Sequence, residues 1–103
     1  MLNNMNCLVV DGIVTSQDAG KGRFEIDVAR SYIDSKGKEV CHISKFPVIG
    51  KGAMKKIIGR EFMVNRKVKV IGQLHQNQEI VENEMKSEIV IIAEKLEIKG
   101  DKD

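Results

Sequence analysis

The sequence contains no tryptophan, one tyrosine, three phenylalanines, one proline and two cysteines in 103 residues. Each scarcity excludes something. Cys7 and Cys41 stand alone in apolar, strand-like surroundings, so small buried hydrophobes are expected rather than a disulfide. Cys41 and His42 are chain neighbours and point to opposite sides of a strand, and no CxxC or HxxxH spacing accompanies them. No metal site and no cofactor are therefore expected. With two histidines, scattered carboxylates and no Ser–His or Cys–His pairing that spacing alone would bring together, no catalytic site is expected either. No apolar run is long enough to cross a bilayer, and the opening "MLNNMNCLVV" lacks the basic region and cleavage site of a secretory leader. The expectation is a cytoplasmic protein that does not enter a membrane.

What is present suits one packed domain spanning residues 1–103, with an ordered core over about 5–99 and a short polar C-terminal end. Hydrophobic residues make up 42% and charged residues 31%, enough apolar surface to build a core. Net charge is only +2, but its distribution is uneven. Lys21 to Lys69 carries 13 Lys or Arg against 5 Asp or Glu, net +8, whereas Val70 to Asp103 carries 4 against 8, net −4. A basic middle is the footprint of a surface for a polyanion, and equally of a solvated charged face.

Five stretches alternate or run apolar in the manner of strands: Asn6 to Ser16, Arg23 to Ile33, Val40 to Ile49, Lys67 to Asn77 and Glu88 to Ile98. "DSKGKE", Asp34 to Glu39, is a short glycine-bearing link that predicts an antiparallel hairpin between the second and third. Met54, Ile57, Ile58 and Phe62 recur at helical spacing and predict one short helix, Ala53 to Glu61, between the third and fourth. "QNQEIVENEMKSE", Gln76 to Glu88, reads as a polar, mobile hairpin loop. Within "KVKVIGQL", Val68, Val70 and Leu74 share one parity and should fill an interior, Lys67 and Lys69 should face outward, and Gly72 should permit a bend. Five strands with a helix between the third and fourth is the order of the OB-fold, an all-β five-stranded Greek-key barrel that binds oligonucleotides on an open face. An open meander with a packed helix has the same strand order.

Several residues invite chemistry that their surroundings deny. "GKGAMKKIIG" resembles a phosphate-binding loop only superficially, because Lys55 stands where G-x-G-x-x-G needs its third glycine and no G-x-x-x-x-G-K-[ST] occurs. Phe24 and Phe46 fall on interior parities and are expected in the core rather than as stacking platforms. His75 and Gln73 lie on an exposed parity, where base contact and plain solvation are both open.

The residues also carry a resemblance. "MNCLVVDGIV" at Met5 to Val14 resembles the opening strand of bacterial single-stranded-DNA-binding proteins. "IDVAR" at Ile26 to Arg30 is similar to their second strand, "KVKVIGQL" to their fourth, and "SEIVIIAEKLEI" at Ser87 to Ile98 to their last. Together these pieces span nearly the whole chain in the family's order. The resemblance implies an OB-fold that assembles as a tetramer or a dimer and wraps unpaired DNA without strong sequence preference. It places Ile43, Lys45 and Ile49 at third-strand positions that are usually aromatic, basic and aromatic. Aliphatic side chains cannot stack as rings do, and stacking contributes about 1–3 kcal/mol per base in such grooves, so weaker binding is expected. Lys36, Lys38, Lys45, Lys51, Lys67 and Lys69 match a surface that tracks phosphates, Tyr32 is the only ring near the end of the second strand, and His75 is a candidate contact from its exposed parity. The family's acidic, partner-recruiting tail has no counterpart in "KGDKD".

The function this implies is non-sequence-specific binding of single-stranded DNA, or RNA, in replication, repair or recombination, by a homo-oligomer that also meets other replication proteins. The alternative is an OB-fold protein-interaction module or replication-restart accessory with weak nucleic-acid binding.

Overall fold

Alternation along each strand decides which side chains meet in the interior. A computed structural model describes residues 6–101. Its elements are β1 (Leu8–Asp18), a single 3-10 turn (Ala19–Lys21), β2 (Arg23–Ile33), β3 (Glu39–Ile49), α1 (Ala53–Arg60), β4 (Arg66–Val81) and β5 (Glu84–Asp101). The strands close into a barrel in the order β1-β2-β3-β5-β4, with β3 and β5 parallel where Val48 and Ile49 meet Ile91 and Ile92. Closure excludes the open meander. All other pairings are antiparallel.

Even-numbered residues of β2 and β3 point inward, bringing Phe24, Ile26 and Val48 into a core completed by Val14, Val68, Val70, Ile91 and Ala93. Fully burying such side chains contributes about 1.5–3 kcal/mol each. Phe46 is packed partly buried against this cluster, as its parity predicts. The helix closes one end of the barrel through Ile58 and, just beyond it, Met63, both fully buried. The helical spacing had pointed to Phe62 instead, which is 75% exposed, because α1 ends at Arg60 and the extended residues that follow alternate rather than continuing the helical stripe.

Two glycines sit where backbones cross too closely for a side chain. A Cβ on Gly12 would lie 2.8 Å from the Asp27 carbonyl oxygen, where β1 passes from pairing with β4 to pairing with β2. A Cβ on Gly72 would collide with the Ile92 carbonyl oxygen, beside a bulge between Ile71 and Gly72 that bends β4. The bend expected at Gly72 is thus present, and it carries β4 out of the barrel. Leu74 consequently does not fill the interior; it is 48% exposed.

Both long hairpins outrun the barrel. β4 and β5 remain paired residue by residue from Gln73↔Ile92 to Val81↔Glu84, so Gln76 to Glu88 is a regular two-stranded arm and not a loop. β2 and β3 likewise pair through to Ile33↔Glu39 around the Asp34–Lys38 turn, where the Asp34 carboxylate accepts from the backbone N–H groups of Lys36 and Lys38 at 2.9 Å each. Cys7 and Cys41 are exposed free thiols rather than buried hydrophobes, since Cys41 lies on the solvent parity of the β2–β3 arm and Cys7 precedes β1.

Candidate nucleic-acid interface

The outward parity of the barrel carries Ile43, Lys45, Lys67 and Lys69 among the sequence-predicted residues, and register shows which of them share a row. Lys67 pairs with Ile13, Ile13 with Asp27, and Asp27 with Lys45, so one row crosses β4, β1, β2 and β3. Three strand spacings separate Lys67 from Lys45, about 14 Å. β3 is therefore not the neighbour of β4 that a shared patch of Ile43, Lys45, Lys67 and Lys69 would need; β1 and β2 lie between them on this side.

The lysines of this wall are partly neutralised. Lys45 Nζ lies 2.9 Å from Asp27 Oδ1 and donates to Thr15 Oγ1 at 2.9 Å. Lys69 Nζ lies 3.9 Å from Glu97 and its residue is paired across the sheet with Asp11. Exposed pairs of this kind are worth about 0–1 kcal/mol, so an incoming phosphate can displace them at small cost. Ile43, 67% exposed, stands beside Lys45 on the same face.

The remaining predicted residues are dispersed. Lys36 and Lys38 occupy the tip of the β2–β3 arm, Lys51 lies in the link to α1, and His75 sits on the β4–β5 arm opposite Val90. Ile49 ends β3 some 20 Å from Ile43 at about 3.3 Å per residue. It lines a cleft of about 450 Å³ between the β1–β2 turn and the β4–β5 arm. That cleft is acidic: Asp18, Glu25, Glu79 and Glu88 outnumber Lys21 and Arg23. Arg23 and Glu88 bridge it through two hydrogen bonds, 2.6 and 3.1 Å. This hydrogen bonding, with charge attraction behind it and desolvation opposing, holds the Glu88 carboxyl below the usual carboxylate range and raises Arg23.

Tyr32 lies on the opposite face of the β2–β3 arm from Ile43 and Lys45. There it meets His42, a residue that sequence reasoning missed: the rings are parallel within 3°, their centroids are 5.5 Å apart, and Tyr32 Oη is 3.0 Å from His42 Nε2. The Arg30 guanidinium carbon stands 5.5 Å over the Tyr32 ring. The missed signal was register, since Tyr32↔Val40 and Arg30↔His42 pairing makes Tyr32 and His42 diagonal neighbours.

No protein-family model and no curated protein matches the chain. Solved structures do. An SSB from Plasmodium falciparum, solved in complex with ssDNA, superposes with a TM-score of 0.75 over 97% of this chain and 97% of its own at 15% identity. The small single-stranded DNA-binding protein of Streptomyces coelicolor gives 0.66 over 94% and 96% at 21% identity. A deletion mutant of the Thermus aquaticus single-stranded DNA-binding protein gives 0.72 over 92% of this chain and 50% of its own, also at 21%. The fold is the OB-fold, in the shape these proteins share.

Proposed function

We propose that this protein binds single-stranded DNA without strong sequence preference. The observation that carries the reading is the likeness over 97% of both chains to a protein solved on single-stranded DNA. The distribution of cations supports it. Lysines line the tip of the β2–β3 arm and the outer wall below it, with Ile43 and Lys45 between them, so a strand can run along the arm while its phosphates meet Lys36, Lys38, Lys45, Lys67 and Lys69. The acidic cleft bends this path away from the β1–β2 turn. Replication, repair or recombination is the setting such binding serves, and RNA of the same backbone charge is a second substrate.

A homo-oligomer belongs to this reading. Residues Leu8–Gly12 pair with β4 on one edge and, among the described residues, with no strand on the other. Val9 there is 59% exposed. An open, apolar edge is covered most simply by a second copy related by a two-fold axis.

A protein-interaction module is favoured by a different observation. Leu74, Ile80, Met85 and Ile89 share one exposed face of the β4–β5 arm, an arrangement suited to an apolar partner. Anisotropy of labelled oligo-dT, oligo-rU and duplex DNA of equal length at low salt separates the two. The single strands are expected to bind more tightly than duplex; equal duplex affinity, or no binding, would favour the interaction module.

A further inference from the structure

We propose that Arg30, Tyr32, His42 and Ser44 form a site for one nucleobase of a bound single strand, on the face of the β2–β3 arm opposite Ile43 and Lys45. This rests on the single-strand reading above and supplies the ring stacking that the outer wall lacks. Side chains on an exposed hairpin ordinarily lose rotamer freedom when a ligand arrives. Here Tyr32 and His42 already hold one another, parallel and hydrogen-bonded. That order reduces the entropic cost of binding. A centroid separation of 5.5 Å exceeds the contact distance of fully overlapped rings, so the two are offset and leave ring surface uncovered. Tyr32 is 39% exposed.

A cleft of about 300 Å³ lies against this surface, lined by Arg30, Tyr32, His42 and Ser44. Its size is at the low end of small-molecule sites and fits one base better than a whole cofactor. Arg30, now over the Tyr32 ring, has a planar fork that can stack on a base or bind the adjoining phosphate. The Ser44 hydroxyl can donate to or accept from a base edge. Val28 and Val40 complete this strand face, which carries no carboxylate between Val28 and Tyr32 or between Val40 and Ser44. The outer face differs, because there Asp27 lies opposite Lys45 with Glu25 one step along the same face, and Glu39 stands nearer the tip. Ring, cation and freedom from carboxylates coincide at this place, and a strand passing along the arm could turn one base into it.

Tyr32 is the sole tyrosine and there is no tryptophan, so intrinsic emission reports on this site alone. End-labelled oligo-dT is titrated while anisotropy and tyrosine emission, corrected for absorption by the oligonucleotide, are followed together. The expected result is quenching with the same midpoint as the anisotropy. Tyr32→Ala should weaken binding about tenfold with an unchanged melting temperature, and Tyr32→Phe should restore most of the loss. Anisotropy that reports binding while emission stays constant, or a Tyr32→Ala variant with full affinity, would overturn the site and leave the single-strand reading standing. Absence of any anisotropy change would remove both.

Discussion

At the scale of single residues, parity on β4 separates two roles that lie one position apart. Val70 is fully buried, and Val70→Asp would bury a carboxylate with no partner, at a cost of several kcal/mol. That variant should fail to show a cooperative melt. Lys69 is half-buried between Asp11 and Glu97 on the outer wall. Lys69→Gln should lower affinity for oligo-dT several-fold with a stability change within about 0.5 kcal/mol. Lys69→Glu is a poorer probe, since a third carboxylate beside Asp11 and Glu97 adds repulsion in the folded state itself. A Lys69→Gln variant that unfolds, or that binds as the parent does, would invert the assignment of faces.

At the scale of elements, the barrel and the β2–β3 arm were legible in the sequence and the β4–β5 arm was not. Alternation in "KVKVIGQL" and a glycine within it gave β4 its faces and its bend, and "DSKGKE" gave the β2–β3 hairpin. The polar run Gln76 to Glu88 was read as a hairpin loop rather than as continuing paired strands, because an arm outside the barrel has no face that must be apolar throughout. Its turn also lacks the usual signal: Glu82 and Asn83 both adopt positive φ, 52° and 64°, which is the type I′ geometry that Asn-Gly fills best. The double change Glu82→Asn with Asn83→Gly should therefore raise stability by about 1 kcal/mol, read as an increased melting temperature. A decrease would mean that the arm does not form this turn. The candidate site was half legible for a related reason. The resemblance placed Ile43 and Lys45 on the ligand-facing side of the third strand, and they do share the outer wall, but Tyr32 and His42 meet only through the cross-strand register of the arm.

The Arg23–Glu88 bridge ties β2 to the base of the β4–β5 arm. Because Glu88 is held below its ordinary range, its contribution is complete above the usual glutamate pKa and is lost as pH falls through the lowered one. The pair is partly exposed, so the contribution is modest, about 0.5 kcal/mol after screening. Glu88→Gln should lower the melting temperature slightly at neutral pH, and the difference from the parent should vanish at acid pH. A constant difference across pH would show that the pair contributes packing rather than charge.

At the scale of the whole molecule, the basic middle of the chain is spread over the β2–β3 tip, the outer wall and α1 with its flanks, while β5 and the β4–β5 arm hold most of the C-terminal acids. That distribution suits the proposed binding of a polyanion through separated cations and a few adjacent apolar or ring contacts. The open edge at Leu8–Gly12 predicts a dimer or tetramer, and a monomer by light scattering at tens of micromolar would refute that assembly. The central claim, electrostatic binding of a single strand along the arm and wall, is tested most directly by oligo-dT affinity as a function of salt. Engagement of Lys36, Lys38, Lys45, Lys67 and Lys69 predicts a line of log K against log salt falling with a slope of about −3.5, from about −0.7 per neutralised phosphate. An affinity that stays flat from low to high salt would contradict it.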